Sequence, residues 1–286
     1  MTNIKYFFQF LCLIFLFFIF KLLGIKYSSI ISGKLLTIIG PLFRSQKICY
    51  NNLSIAFPEF DNLKKKDILK KMWFNYGRIL AEYMFISKFR NSKLSQNILI
   101  ENQEELEKIK NSPKPAIFIS GHFNNFELMA MHLEKSGIDL AAIYRPLNNI
   151  FLNPLMERIR KKYICKKQIK KGISGTKELL KCFKQGSSIA LMIDQRVSEG
   201  IKCSLFNKQA LTTTIPAQFV KKYGANIVPI YIERIKDNNF KIKIYKSLKF
   251  SNNDTLKTIT IHLNKVLEEM IIKKPEQWIW THNRWK

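Results

Sequence analysis

The sequence is poor in cysteine and in acidic residues for its length. Five cysteines in 286 residues are scattered and include no C-x-x-C pair. This pattern argues against a disulfide framework or a zinc site and indicates a reducing compartment. The chain also lacks a glycine-rich phosphate loop, internal repeats and a low-complexity linker. These absences leave one large domain, or one domain with an attachment, as the expected organisation.

Positive charge is in large excess, with 48 Lys and Arg against 21 Asp and Glu and a net charge of +27. Such a chain suits nucleic acid, an anionic membrane surface or acidic soluble partners. The chain is also rich in Ile and Asn, a composition that a biased genome produces together with extra lysine. Composition alone leaves all of these explanations open.

A long apolar run occupies residues 6–25, YFFQFLCLIFLFFIFKLLGI, in which only Gln9 and Lys21 are strongly polar. Twenty helical residues cover about 30 Å, the thickness of a hydrocarbon core. The residues that follow contain no A-x-A-like cleavage site, which disfavours a signal peptide. We therefore expect a retained membrane anchor at 1–26 and a second domain at 27–286.

The charges around this run predict its orientation. No acidic residue occurs before Glu59, whereas basic residues flank the run on both sides, namely Lys5, Lys21, Lys26, Lys34, Arg44 and Lys47. The positive-inside bias then places the bulk of the protein on the cytoplasmic side. A shallow interfacial helix is the alternative, because Lys21 in a spanning helix would have to extend towards the interface.

Three short apolar runs, at 116–119, 138–144 and 188–193, indicate buried strands separated by helical patterns. The fold class predicted is α/β, with a mixed, largely parallel central sheet flanked by helices. Each run is followed by polar side chains, first among them His122, Arg145 and Asp194. The carboxyl ends of parallel strands meet at one sheet edge, so the sequence predicts a site there.

Two further segments give specific structural predictions. Residues 215–223 indicate a helix that ends at Gly224. Residues 240–250 alternate apolar residues with lysine, which predicts a half-exposed edge strand protected by its charges.

The motif at the first strand end contains a histidine and a glutamate five residues apart, His122 and Glu127. Asn124 is a plausible N-cap with Glu127 three residues later, a capping-box-like arrangement. From the first helical turn, Glu127 could bond one nitrogen of His122 and leave the other free as a base. No serine or cysteine stands beside them, so a substrate hydroxyl is the expected nucleophile. In the alternative interpretation Glu127 is only a cap and His122 a loop residue.

These residues belong to a wider pattern, in which the chain resembles the lipid A late acyltransferases, the lauroyl and myristoyl transferases of the Kdo2-lipid A pathway. His-x4-Asp/Glu is shared with glycerolipid acyltransferases, so the later segments make the resemblance specific. One departure is Asn207, where such proteins usually carry glycine after the phenylalanine. The matching segments are Asn75-Tyr76-Gly77-Arg78 with Glu82, Gly121-His122-x4-Glu127, Tyr144-Arg145-Pro146-Leu147-Asn148-Asn149, Asp194-Gln195, Pro275-Glu276-Gln277-Trp278, Trp280 and His282-Asn283-Arg284-Trp285-Lys286.

The resemblance implies a glycerolipid-acyltransferase-like fold at the bacterial inner membrane. It also implies transfer of a fatty acyl group from acyl carrier protein to a hydroxyl of a Kdo-bearing lipid A precursor. His122 would be the general base and Glu127 would stabilise its imidazolium. No metal or nucleotide cofactor is needed, because the thioester is already activated. The expected partners are acyl carrier protein, the glycolipid and an anionic membrane, without nucleic acid.

Several further residues are candidates for substrate binding. Arg145 is placed to bind an anion, and backbone N–H groups near Asn124 and Asn125 are proposed for the oxyanion. The full candidate set is Arg145, Asp194, Gln195, Asn124, Asn125 and Arg284. Two alternatives stay open: a phospholipid or mannoside acyltransferase with the same chemistry, and a membrane-tethered nucleic-acid-binding protein. The second lacks a recognition-helix motif and clustered basic residues.

Overall fold

The computed structural model describes residues 2–286 and contains ten α-helices within them. Three 3₁₀ turns, Tyr83–Phe85, Lys93–Asn97 and Pro275–Gln277, connect longer elements. The helices are α1 Thr2–Phe43, α2 Gln46–Ala56, α3 Asn62–Glu82, α4 Ile86–Asn91, α5 Gln103–Lys110, α6 Glu127–Lys135, α7 Leu152–Tyr163, α8 Ile173–Lys184, α9 Ile215–Tyr223 and α10 Leu256–Lys273.

Seven of the nine strands in the described residues form one central sheet, in the order β1-β9-β8-β2-β5-β3-β4. Only β8 and β9 pair antiparallel within it, which confirms the predicted mixed, largely parallel α/β fold. Every residue of β2 is buried, as expected for a strand with both faces covered. The strands are β1 Ile98–Glu101, β2 Ala116–Ser120, β3 Leu140–Tyr144, β4 Lys167–Lys170, β5 Ser188–Met192, β6 Ile201–Leu205, β7 Lys208–Thr212, β8 Asn226–Lys236 and β9 Asn239–Ile244.

The lysine-rich strand β9 lies inside the sheet, so the prediction of an edge strand is wrong. It pairs with β1 on one side and with β8 on the other. Its lysines are matched by acids on these neighbours: Lys241 contacts Glu233 and Lys243 contacts Glu101. These cross-strand ion pairs come from distant segments, and alternation within a single strand cannot reveal them. The helix predicted at 215–223 is confirmed as α9.

Helix α1 extends well past residue 26, the expected end of the anchor. Gly24 interrupts it with φ 72° and ψ 168°, a conformation that glycine adopts at little cost. After this kink the helix packs closely on α3, where the Ser32 hydroxyl donates to the carbonyl of Gly77 over 2.6 Å. The division into 1–26 and 27–286 stays a prediction.

The second sheet is a hairpin of β6 and β7, closed by Phe206 and Asn207. Both turn residues have positive φ, 50° and 58°, as a two-residue type I′ turn requires. Asparagine tolerates this region better than most residues. The sequence departure from glycine at this position is therefore compatible with a tight turn.

Candidate functional site

The centre of the candidate site is a histidine–aspartate pair at the ends of two neighbouring strands. β2 and β5 are paired in register, with Ser120 opposite Met192. His122 and Asp194, two residues beyond these positions, therefore lie side by side. Nδ1 of His122 is 2.8 Å from Oδ1 of Asp194, and the backbone N–H of His122 donates to Oδ2 over 2.7 Å. One carboxylate thus fixes both the ring and the loop that carries it.

Trp278 supplies a third hydrogen bond to this carboxylate. Its indole Nε1 donates to Oδ2 of Asp194 over 2.8 Å, and its backbone forms a β-bridge with Phe123. Burial of Asp194 opposes ionisation, but the charge and hydrogen bonds of His122 outweigh it and lower the pKa of Asp194 to about 2. The carboxylate is therefore ionised at neutral pH.

His122 responds to this carboxylate in the opposite direction. Burial disfavours the imidazolium, but the charge and hydrogen bond of Asp194 outweigh burial and raise the pKa of His122 above its usual 6.5. The charge of Glu127 adds to the rise and that of Lys171 opposes it. The site therefore stabilises the protonated ring, as a general base requires once it has accepted a proton.

Glu127 does not occupy the position expected for it beside His122. Its carboxylate accepts from Arg160 on α7, with Nε at 2.9 Å and Nη2 at 2.7 Å from Oε1. The expected contact with the ring is replaced by that of Asp194, because strand pairing brings Asp194 directly to Nδ1. Glu127 acts on His122 through its charge, and its part in catalysis stays a prediction.

Asn124 and Asn125 hold the His122 loop, and their backbone N–H groups are already engaged. Asn124 N–H donates to the carbonyl of Gln277, and Asn125 N–H donates to Oδ1 of Asn124, each over 2.8 Å. Both N–H groups are therefore engaged within the protein, and the prediction that N–H groups near these residues bind an oxyanion stays a prediction. Asn124 also has φ 39° and lies three residues before α6, so it does not cap that helix.

A buried ionic network stabilises the loop that carries His122. Glu82 is fully buried and accepts from Arg234 at 2.7 and 2.9 Å and from Nδ2 of Asn125 at 3.1 Å. Arg234 also donates to Oδ1 of Asn124 over 2.9 Å. Ser29 on α1 donates to Glu82 as well. The network therefore joins α1, α3 and β8 to the loop of His122.

The other nitrogen of His122 points towards Gln195 and His282. Nε2 of His122 is 3.3 Å from the Gln195 amide, which is 2.8 Å from Nε2 of His282. Burial lowers the pKa of His282, and the positive charges of Arg44 and Arg145 contribute to that lowering. Nε2 thus faces an amide and, beyond it, a second imidazole. The His122 side chain is 18% exposed, so solvent reaches part of it.

Arg284 is placed differently from the other predicted binding residues. It is fully buried, and its guanidinium donates to the carbonyl of Leu211 and the hydroxyl of Thr212, each over 2.7 Å. These contacts attach residues 275–286 to β7. They favour a packing role over the predicted contact with substrate.

Sequence reasoning missed several contributors to the site. Arg160 and Arg234 were not singled out, and Trp278 and His282 were noted only as part of a family-like segment. Trp278 is separated from Asp194 by 84 positions, so no spacing rule connects them. Within residues 2–286, no three His, Cys, Asp or Glu side chains are grouped as metal ligands. The five cysteines, all within that range, are free thiols.

Comparisons with known proteins identify the family of the chain. The family model for bacterial lipid A biosynthesis acyltransferase matches residues 1–286. The lipid A biosynthesis lauroyltransferase of Escherichia coli (strain K12) is 24% identical over 255 residues, covering 85% of this chain and 79% of the relative. The myristoyltransferase of the same organism is 22% identical over 234 residues, covering 80% and 71%. A crystal structure of the 1-acyl-sn-glycerophosphate acyltransferase PlsC from Thermotoga maritima aligns with a TM-score of 0.40 at 13% identity, covering 90% of this chain and 100% of that one.

Proposed function

Because the chain belongs to the bacterial lipid A biosynthesis acyltransferase family over its whole length, we propose that its donor is acyl carrier protein and its acceptor a hydroxyl of a Kdo-bearing lipid A precursor. The protein is an acyltransferase of lipid A synthesis. The observation that carries the chemical part of the proposal is the His122–Asp194 pair, whose Nε2 is left facing a polar, partly exposed space.

In this proposal His122 acts first as base and then as acid. Nε2 takes the proton of the acceptor hydroxyl while its oxygen attacks the thioester carbonyl carbon. The tetrahedral intermediate collapses as the carbon–sulfur bond breaks, and the leaving thiolate takes the proton from Nε2. Asp194 holds the ring through Nδ1 and stabilises the imidazolium between these steps. Glu127 adds its charge from farther away.

The thioester oxygen needs a hydrogen-bond donor as negative charge develops on it. The backbone N–H groups of Asn124 and Asn125 are held by hydrogen bonds inside the protein. Our candidate donor is the side-chain amide of Gln195, because the substrate would displace its long contact with His122 and free that N–H group. It lies within 3.3 Å of Nε2 of His122, on the side where the substrate would bind. The contact of this amide with Nε2 of His282, at 2.8 Å, fixes its orientation.

The surrounding charge suits a phosphorylated and carboxylated glycolipid. Arg145 is exposed at the end of β3, and both Arg145 and Arg44 act on His282 through their charges. Arginine binds phosphate and carboxylate through paired N–H groups. The net charge of +27 also favours an acidic carrier protein and an anionic membrane. We place the catalytic domain on the cytoplasmic side of the bacterial inner membrane, because its free cysteines suit a reducing compartment.

The test is to incubate the purified protein with a tetra-acylated, Kdo-bearing precursor and a panel of acyl carrier protein thioesters. We expect one added acyl chain in the product mass, with His122→Ala as the inactive control. Phospholipid or mannoside acceptors are supplied in parallel. Product from those acceptors alone, or equal product from the His122→Ala protein, would contradict the proposal.

A further inference from the structure

Helix α1 is long and apolar enough to cross a membrane by length and composition, yet one side of its first half contacts the rest of the protein. Phe17 and Phe20 are buried with Ala81 of α3, and Leu13 and Leu16 pack against the same cluster. These contacts occupy the end of the first half that is next to the Gly24 kink.

The opposite end of this half-helix contacts the protein too. The carbonyl of Tyr6 accepts from Nδ2 of Asn149 over 2.8 Å. The ring centroids of Phe7 and Phe10 lie 5.4 and 6.2 Å from that of Phe151. Contact with the catalytic domain therefore extends from Tyr6 to Phe20, roughly 21 Å along the helix axis.

This contact is difficult to reconcile with a helix that crosses the bilayer. If the beginning of α1 lay at the far side of the membrane, the loop holding Asn149 and Phe151 would lie there as well. That loop begins at the exposed Arg145 and continues into α7, whose exposed residues include Lys161 and Lys162. Cations inside the hydrocarbon cost several kcal/mol each, on the order of 2.5–3.5 by insertion measurements.

Over its first three turns α1 also has distinct sides, as a helix at an interface does. One side packs on the protein, and another exposes large apolar side chains. Lys5, Gln9 and Cys12, spaced by four and three residues, share a side of the helix, and all three are exposed. The apolar exposed side chains include Phe8, Leu11, Phe15, Phe18 and Leu22. Lys5 and Lys21, both exposed, are placed to meet headgroups near the two ends.

The second half of α1 repeats this arrangement. Its inner side packs on α3 through the close approach of Ser32 to Gly77. Its outer side keeps an exposed apolar stripe at helical spacing, formed by Tyr27, Ile31, Leu35, Ile38 and Leu42. Lys26, Lys34 and Arg44 are exposed in the same region. An anionic lipid surface matches both the apolar stripe and these cations.

We propose that α1 lies in the plane of an anionic lipid bilayer along both of its halves, and does not cross it. The exposed apolar sides of the helix enter the boundary between headgroups and acyl chains, while the catalytic domain rests on the same membrane surface. The site of His122 is then held beside the bilayer by a helix about 40 residues long, rather than tethered at one end of a spanning segment.

The first test compares labelling from the two sides of the membrane. Asn3→Cys and Ser45→Cys, both exposed positions, are introduced separately into a protein that carries Cys12→Ser and Cys182→Ser, which removes the two native thiols that are not buried. Each variant is treated with a membrane-impermeant maleimide in right-side-out and inverted inner-membrane vesicles. We expect both cysteines to react only in the inverted vesicles. Reaction of Asn3→Cys in right-side-out vesicles, or in neither preparation until detergent is added, would overturn the proposal.

The second test uses a matched pair of lysine substitutions. Phe15→Lys places a charge on the exposed apolar side, and Cys12→Lys places one on the side of Lys5. For an in-plane helix, Phe15→Lys lowers binding to phosphatidylglycerol-containing vesicles about tenfold or more, while Cys12→Lys leaves it unchanged or stronger. A spanning helix would hold both positions inside the hydrocarbon, and similar losses from the two variants would refute the in-plane arrangement. Acyl transfer in detergent micelles checks that each variant is folded.

Discussion

At the level of single side chains, His122 is influenced by two carboxylates placed at different distances. Asp194 makes a direct hydrogen bond to Nδ1, whereas Glu127 is bonded to Arg160 and acts on the ring through its charge alone. Asp194, at the end of the neighbouring strand β5, therefore influences His122 more strongly than Glu127 does. The two carboxylates should be separable by experiment.

Removing the charge of Asp194 should move the acidic limb of the pH–rate profile. Asp194 raises the pKa of His122, so in Asp194→Asn that pKa falls and the free base persists to lower pH. The acidic limb of kcat/KM shifts to lower pH, while kcat drops about tenfold or more because the imidazolium loses its partner. Acyl transfer measured from pH 5 to pH 9 provides both quantities.

Glu127→Gln is the matched control for this experiment. It also removes one negative charge near the ring, but no hydrogen bond to His122, so we expect a smaller shift in the same direction. A larger shift for Glu127→Gln than for Asp194→Asn would mean that Glu127 orients the base, as the sequence suggested.

At the level of secondary-structure elements, α1, α3, β8 and the His122 loop meet at the buried Glu82. Its carboxylate is fully buried, and two oxygens receive five side-chain donors from distant parts of the chain. A buried carboxylate and guanidinium stabilise a fold only while both are present. This centre therefore ties the orientation of the elements to the geometry of the loop.

Replacing Glu82 by Gln should lower the free energy of unfolding by about 3–5 kcal/mol, because Arg234 is left buried without a counter-charge. The control is Asp67→Asn, which breaks the exposed pair of Asp67 and Lys71 and should cost less than about 1 kcal/mol. Denaturant unfolding in detergent micelles, followed by tryptophan fluorescence, measures both changes. Equal losses of unfolding free energy in the two variants would contradict the expected contribution of the buried Glu82–Arg234 pair.

The close packing of α1 on α3 depends on Gly77. A Cβ atom at Gly77 would lie 2.2 Å from the carbonyl oxygen of Ser32, so Gly77→Ala should push the helices apart despite the roughly 1 kcal/mol that alanine gains in helix propensity. We expect faster tryptic cleavage at the exposed Arg44. The control is Leu63→Ala, which shortens an exposed side chain of the same helix α3, and cleavage at Arg44 should stay at the wild-type rate.

These elements also show what the sequence could predict. The apolar runs in the sequence predict the strands β2, β3 and β5. Because the carboxyl ends of parallel strands meet at one sheet edge, the sequence also correctly predicts that His122 and Asp194 lie close together. Glu127 was favoured as the partner because it is near in sequence, whereas the actual contact depends on strand register. The interior place of β9 was hidden for the same reason, since the acids beside its lysines lie on β1 and β8.

At the level of the whole molecule, a net charge of +27 combines with the exposed apolar sides of α1. Binding to vesicles should therefore have two components. Raising salt from about 0.05 to 0.5 M shortens the Debye length and should weaken binding to anionic vesicles. The remaining affinity should equal that for neutral phosphatidylcholine vesicles, because α1 binds through apolar contacts. Sedimentation of vesicles measures this, and affinity independent of both salt and anionic lipid would contradict it.

The hydrogen bond from Trp278 to Asp194 has a consequence for biosynthesis. A chain emerging from the ribosome exposes His122 and Asp194 long before the indole that fixes the carboxylate, and before the Gln277 carbonyl that anchors Asn124. Chains that lack residues 275–286 therefore contain His122 and Asp194 without the hydrogen bonds from Trp278 and Gln277. We therefore expect acyl transfer to require that residues 277 and 278 have been synthesised and have folded against the pair.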